Sequence, residues 1–146
     1  MNMRKCLLLA FIVAGLSALT IQAQAPVTPG VEMITADELK TKLAGNNAVL
    51  IIDVRSSQAY AAATQTIKGA IHFKARKLKS RLVYPPLKDL PRDREIVTYC
   101  SCPKDEASIA AAEILQAAGF KRVRVLQGGW QEWLKVSGPV EPRSKT

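Results

Sequence analysis

Three short apolar runs, each followed by a helical pattern, are the feature that most constrains how this sequence can fold. Residues 48–52 (AVLII), 95–99 (EIVTY) and 122–126 (RVRVL) are rich in β-branched side chains, and the first run is apolar throughout. The first run is typical of a strand buried on both faces of a parallel sheet, the second predicts another buried strand, and the third predicts a further strand. Because parallel strands need crossover connections, the alternation predicts an α/β fold with a central, mostly parallel sheet and helices on both faces.

The segments between these runs carry helix signals. Thr35 is a predicted N-cap, with Glu38 as its capping-box partner, and the sequence Gly-Asn-Asn at 45–47 is predicted to end that helix. Further helices are predicted over residues 56–63 and 106–118, the second of which combines high helix propensity with a following glycine.

The remaining segments give weaker signals. Residues 31–34 predict a short edge strand, and residues 67–73 predict a turn followed by a brief strand. Residues 74–94 are polar, basic and interrupted by prolines, so we interpret them as helical turns and loop. A last helix carries Trp130 and Trp133, which lie three residues apart and are predicted to anchor the core.

The first 25 residues predict an export signal. Arg4 and Lys5 precede an apolar run over 7–21, and the sequence Ala-Gln-Ala at 23–25 has the small-x-small pattern of a cleavage site. The run is shorter than the roughly 20 residues needed to span a bilayer, so cleavage without stable membrane insertion is favoured over an anchor. We therefore expect one domain over residues 26–146, located in the periplasm or secreted.

The charge of the chain favours anionic partners. The formal net charge is +9, and it stays strongly positive without the signal. Nucleic acid is excluded as the expected partner because export removes the protein from most of it and aromatic residues, 5% of the chain, are scarce for base stacking. A small anion, or a periplasmic protein partner, fits better. A basic cluster, for which a solvated face is favoured over a docking role, comprises Lys68, Lys74, Arg76, Lys77, Lys79, Arg81 and Lys88.

Cys100 and Cys102 are the cysteines that remain once the signal, with Cys6, is removed. Exported domains often contain disulfides, but these two residues lie so close in sequence that a bond between them would close a very tight ring. The sequence therefore predicts no structural disulfide and at least one working thiol.

Cys100 is the predicted nucleophile. It follows the strand at 95–99 and precedes the helix at 106–118, at the carboxyl end of the sheet where α/β folds bind ligands. Loop amides, the helix dipole and the charge of Lys104 would favour a thiolate that is open to solvent. The alternative is a buried cysteine that acts as a small hydrophobic residue. The predicted substrate-binding loop consists of Ser101, Cys102, Pro103, Lys104 and Asp105.

Cys102 has three interpretations: a resolving thiol that attacks a covalently modified Cys100, a metal ligand, or a small neutral loop residue. A metal site needs about four ligands, and His72, itself interpreted as a packing residue at a strand end, is the one other candidate. We therefore predict no metal and no cofactor. Proximity favours a resolving thiol and the tight ring opposes it, so these two interpretations stay open.

Five pieces of the sequence share a specific order and spacing: 49–55 (VLIIDVR), Tyr60, 67–70 (IKGA), 96–100 (IVTYC) and 125–133 (VLQGGWQEW). Through these pieces, residues 32–142 resemble a rhodanese domain. This resemblance implies a rhodanese-like fold and sulfurtransferase activity. In that reaction the Cys100 thiolate would take sulfane sulfur from an anionic donor such as thiosulfate, carry it as a persulfide, and pass it to a thiol or cyanide acceptor. The resemblance also implies that Asp53 and Arg55 are structural. An aspartate and an arginine at a strand end commonly pair, and this pair is predicted to orient the loops beside the site.

The loop departs from the usual rhodanese pattern. Asp105 and Glu106 follow Lys104, where rhodanese loops commonly carry a basic residue near their end. This departure supports an alternative function, a non-catalytic or sulfur-carrier module that binds a partner protein. A phosphatase or arsenate reductase is less favoured, because such enzymes hold their tetrahedral anion with a loop arginine and none lies between Cys100 and Ala118.

Overall fold

The computed structural model describes residues 30–45 and 48–144. The expected export signal, its cleavage site and Cys6 lie outside the described residues and stay predictions. The strands are β1 (Glu32–Ile34), β2 (Leu50–Asp53), β3 (Gln65–Ile67), β4 (Ile71–His72), β5 (Glu95–Tyr99), β6 (Arg122–Leu126) and β7 (Val140–Pro142). The helices are α1 (Ala36–Ala44), α2 (Ser57–Ala62), α3 (Leu78–Arg81), α4 (Glu106–Ala117) and α5 (Gly129–Lys135).

Five strands form one parallel sheet in the order β1-β6-β5-β2-β4. β5 is central, and all of its residues are buried. β1 lies at an edge, as its short and weakly apolar sequence predicts. The predicted α/β fold with a central parallel sheet is confirmed.

Helices cover both faces of this sheet, because consecutive side chains of a strand point to opposite faces. Ile51 and Val97 pack on one face in a cluster that includes Trp133 of α5. Ile52 and Ile96 pack on the other face in a cluster that includes residues of α3 and α4. None of the helices in the described part of the chain has the length and apolar character needed to cross a bilayer.

Local signals located most elements correctly. The capping box of Thr35 and Glu38 begins α1, and Ser56 caps α2 by accepting the N–H of Ala59 at 3.1 Å. Residues 74–94 form short 3₁₀ turns, α3 and loop, as predicted. The sequence did not predict β7, which pairs antiparallel with β3, because a three-residue strand containing Glu141 and Pro142 has no alternating pattern.

Candidate active site

Cys100 lies at the carboxyl end of β5, braced by the turn that begins α5. Its backbone C=O accepts the N–H of Trp130 at 2.9 Å. Gly129 makes this close approach with a left-handed φ of +51°, and a Cβ at this position would lie 2.2 Å from the Cys100 oxygen. Only glycine fits there, so the close contact between the turn and the Cys100 backbone depends on this residue.

Cys100 and Cys102 form a disulfide, which corrects the prediction that they would not pair. Their Cα atoms are 5.7 Å apart, within the range of ordinary disulfides. Two successive Cα steps of about 3.8 Å reach this separation with a modest bend of the chain. The prediction was wrong because it considered only the small ring that the bond closes. The separation of the two Cα atoms decides whether a disulfide can form, and here it is an ordinary one.

Two donors contact the Cys100 sulfur. The backbone N–H of Cys102 donates to Cys100 Sγ at 3.4 Å, as expected for a loop that turns its amides toward the sulfur. The hydroxyl of Ser108, in the first turn of α4, lies 3.5 Å from the same atom and 2.8 Å from the carbonyl oxygen of Asp105. Both donors favour an anionic sulfur over a neutral one.

Ser108 is a site residue that sequence reasoning missed. It is fully buried in a helix whose neighbouring positions are mostly alanine, and its backbone C=O accepts the hydroxyl of Thr98 at 2.8 Å. A serine in the first turn of the helix that follows the cysteine was the available signal. Its direction toward Cys100 depends on how α4 packs on β5, which the sequence does not state.

The Cys100 side chain is sealed from solvent. It is 1% exposed and belongs to the apolar cluster on the α4 face of the sheet, whereas Cys102 is half-buried. The expectation that this sulfur is open to solvent is therefore wrong for the disulfide form. The physical reason is that Cys100 lies in the apolar cluster between the sheet and α4, with the Cys102 sulfur bonded to its remaining side.

The other residues of the predicted substrate loop differ in exposure. Pro103 and Lys104 are exposed and Ser101 is half-buried, so their predicted substrate contacts stay predictions. Asp105 is buried with a left-handed φ of +55°, and its carboxylate accepts the N–H of Gly128 at 2.8 Å. This acidic residue holds the loop against the turn before α5, and its predicted contact with substrate also stays a prediction.

Asp53 and Arg55, at the end of β2, form a buried ion pair beside the cysteine loop. Arg55 Nη2 and Nε donate to Asp53 Oδ2 at 2.6 and 2.9 Å, and both side chains are almost fully enclosed. The hydroxyl of Tyr99 donates to the same oxygen at 2.7 Å, and the Arg55 guanidinium lies 4.7 Å from the centre of the Trp130 ring. The network joins β2, β5 and α5 around Cys100.

Burial and pairing set the protonation of this network. Burial by itself lowers the pKa of Arg55, but the hydrogen bonds and charge of Asp53 outweigh it, so the pKa is raised. Burial, together with the Asp53 charge, also raises the pKa of Tyr99 well above its ordinary value. Arg55 thus stays cationic and Tyr99 stays a neutral donor. The ion pair predicted from sequence forms, while its role in orienting the loop remains a prediction.

Comparison with known proteins identifies the family. The rhodanese-like domain family matches residues 35–136. This chain belongs to that family. A sulfurtransferase of Allochromatium vinosum is 29% identical over 110 residues, which are 75% of this chain and 94% of that protein.

Solved rhodanese-like structures share the fold of this chain. The rhodanese-like domain of the Alr3790 protein from Anabaena sp. is 31% identical, with a TM-score of 0.62 over 75% of this chain and 77% of that one. The human single-domain sulfurtransferase TSTD1 is 26% identical, with a TM-score of 0.60 over 73% of this chain and 97% of that one. The chain thus has the fold of a rhodanese-like domain and is similar in sequence to two proteins named as sulfurtransferases.

The basic cluster of this rhodanese-like domain borders a cavity of about 520 Å³. Lys74, Lys77 and Arg81 line it together with Tyr60 and His72. The Tyr60 and His72 rings stack with their centres 3.7 Å apart, which agrees with a packing role for this histidine at the end of β4. Some of the basic residues thus share one concave surface, and its partner stays a prediction.

Proposed function

We propose that this rhodanese-like domain is a thiosulfate-type sulfurtransferase with Cys100 as its nucleophile. The reduced Cys100 thiolate attacks the outer sulfur of thiosulfate, the sulfur–sulfur bond of the donor breaks, and sulfite leaves with the bonding electron pair. The persulfide anion on Cys100 then gives its outer sulfur to cyanide or to a thiol. With cyanide the products are thiocyanate and the original thiolate, so atoms and charge balance.

The observation that carries this proposal is that a second sulfur atom is already bonded to Cys100 Sγ within the loop. The outer sulfur of a persulfide would be bonded to the same atom. Once reduction releases Cys102, the position that its sulfur held becomes free for the transferred atom. We further propose that release of the Cys102 sulfur opens a route for solvent to the Cys100 side chain, which is 1% exposed in the disulfide form.

The surroundings of this position suit an anion. The Cys102 N–H and the Ser108 hydroxyl already contact Cys100 Sγ at 3.4 and 3.5 Å, and α4 adds the positive end of its dipole. Donors fixed before the reaction stabilise developing charge without reorganisation. We further propose that exposed Lys104 attracts the anionic donor, and that the domain works in the periplasm or as a secreted protein.

The test is thiocyanate formation by the full chain, reduced and freed of reductant, from thiosulfate and cyanide. The expected result is turnover by the wild type and none above background by Cys100→Ser. Cys102→Ser is the matched control, because it removes the other thiol of the loop while keeping Cys100, and it is expected to retain measurable thiocyanate formation. Urea unfolding of each variant verifies that it is folded.

Two outcomes would contradict the proposal. Equal thiocyanate formation by wild type and Cys100→Ser would remove the nucleophile from its role. A stable gain of one sulfur on Cys100, with no transfer to cyanide or to a small thiol, would identify a sulfur carrier instead of an enzyme.

A further inference from the structure

We propose that Cys102 is a resolving thiol that reduces the sulfur carried by Cys100 and releases it as hydrogen sulfide. This inference rests on the proposed function, because it needs a Cys100 persulfide, but it adds an activity that transfer to cyanide does not require. The domain would then reduce sulfane sulfur to sulfide, with a dithiol as the reductant.

The first step is an exchange within the loop. The Cys102 thiolate attacks Sγ of the Cys100 persulfide, a bond forms between the two cysteine sulfurs, and the bond to the outer sulfur breaks. The outer sulfur leaves with the electron pair, takes up a proton from water to become hydrosulfide, and is thereby reduced, while the two cysteines are oxidised to a disulfide. The product on the protein is the Cys100–Cys102 bond that this structure contains.

The geometry favours attack from within the chain. The two sulfurs meet with a Cα separation of 5.7 Å, and the surrounding strand, loop and helix already hold the backbone that this requires. A reacting group held in position has an effective concentration far above that of any dissolved thiol.

The same geometry lets a reductant reset the site. A dithiol reaches the half-buried Cys102 sulfur more readily than the enclosed Cys100 sulfur, and thiol–disulfide exchange depends on which sulfur is accessible. Attack on Cys102 expels Cys100 as the leaving thiolate, which the Cys102 N–H and the Ser108 hydroxyl are placed to stabilise. The second thiol of the reductant then releases Cys102. Each cycle consumes a dithiol and yields its disulfide, sulfite and sulfide.

The test follows the fate of one sulfur atom. The full chain is reduced with a phosphine, desalted without oxygen, and given thiosulfate in the absence of cyanide or thiol. Wild type is expected to release sulfide and to end as a disulfide, seen as resistance of Cys100 and Cys102 to iodoacetamide, with Cys6 still alkylated, and as a mass lower by two hydrogens before alkylation. Cys102→Ser is expected to keep the added sulfur and to release sulfide at least about tenfold more slowly, since it has lost the positioned thiol. A dithiol in excess should make release by wild type continuous.

The outcomes separate this inference from the proposed function. Wild type that holds a stable persulfide, releases no sulfide and still makes thiocyanate would overturn the resolving role and leave the sulfurtransferase intact. An added sulfur found on Cys102 by peptide mapping would also overturn it, because attack would then fall on the outer sulfur. If neither wild type nor Cys102→Ser takes up sulfur or makes thiocyanate, the proposed function itself fails. An oxygen-free sample without thiosulfate must stay reduced, since spontaneous oxidation would otherwise explain the disulfide.

Discussion

A buried carboxylate lies at each end of the central strand β5, but the two carboxylates differ in how far their cationic partners are exposed to solvent. At the amino end the Glu95 side chain is 8% exposed, and its partners Lys42, Arg122 and Arg124 are 30%, 59% and 16% exposed. At the carboxyl end Asp53 and Arg55, beside the Cys100 loop, are 0% and 1% exposed. At the amino end Lys42 and Arg122 reach solvent, whereas at the carboxyl end both members of the ion pair are enclosed.

We therefore expect substitution of an exposed cation at the amino end to cost little stability, and substitution in the enclosed pair to cost much more. Ion pairs with solvent-exposed partners are worth little, because water and salt screen them and long side chains lose freedom in forming them. A sealed pair gains little net stability, but the loss of one partner leaves a charge without compensation. Such a pair fixes β2 and β5 beside the cysteine, where the proposed chemistry needs constant geometry.

Removing the sealed cation should have the largest effect. Arg55→Met keeps most of the side-chain volume but leaves Asp53 buried without its partner, and we expect a loss of about 3–5 kcal/mol in the free energy of unfolding. Urea denaturation measures it. The matched control at the other end of the sheet is Arg122→Met, which should cost about 1 kcal/mol or less. Equal losses at the two ends would remove the distinction between them.

Two glycines, Gly129 at the carboxyl end of the sheet and Gly119 at its amino end, give a second comparison with a smaller expected loss of stability. Gly129→Ala places a side chain where Cys100 O lies and strains a left-handed residue, so we expect a loss of about 1–2 kcal/mol in stability. Thiocyanate formation should fall by about 10- to 100-fold, since displacement of the nucleophile degrades its alignment. The readouts are urea unfolding and initial rates.

The control is Gly119→Ala, just before β6, where φ is +92° and nothing lies within 4 Å of an added Cβ. It carries backbone strain without a clash. Stability should fall while the rate per folded chain stays at the wild-type value. A rate loss as large as that of Gly129→Ala would mean that strain alone, and not contact with Cys100, explains the effect.

The same contrast describes what the sequence could predict. The bounds of β5 and β6 match the predicted runs, and the capping box of Thr35 and Glu38 forms as expected, because these features depend on neighbouring residues. The position of Cys100 after β5 follows from the same local pattern. These signals were enough for the fold and for the location of the candidate site.

The surroundings of Cys100 depend on contacts between distant segments, and these were missed. Ser108 reaches the sulfur only because α4 packs on β5, and Gly129 contacts its carbonyl only because the turn before α5 folds against the loop. The burial of Cys100 depends on the same packing of α4 on the sheet, whereas its bond to Cys102 follows from the path of the loop. The spacing of apolar residues along the sequence does not predict any of these arrangements.

The smallest expected effect is at the solvated end and depends on pH. Burial opposes the charge of Glu95, but hydrogen bonds from Arg124 and Lys42 outweigh it and lower the pKa of this carboxyl below its ordinary value of 4.5. A carboxyl with a lowered folded-state pKa stabilises the fold above its unfolded pKa, and this stability is lost as pH falls through the folded value. Glu95→Gln should therefore cost about 1 kcal/mol near neutral pH.

The gap in free energy of unfolding between wild type and Glu95→Gln should close as the pH drops below 4.5, where wild-type Glu95 becomes protonated. Urea unfolding over a pH series measures this. Glu32→Gln is the control, since its carboxylate is 72% exposed and lies 3.7 Å from Arg124, so its effect at neutral pH should be smaller. A gap that persists at low pH would mean that Glu95 acts through its shape and hydrogen bonds rather than its charge, and the two ends of β5 would then differ in burial alone.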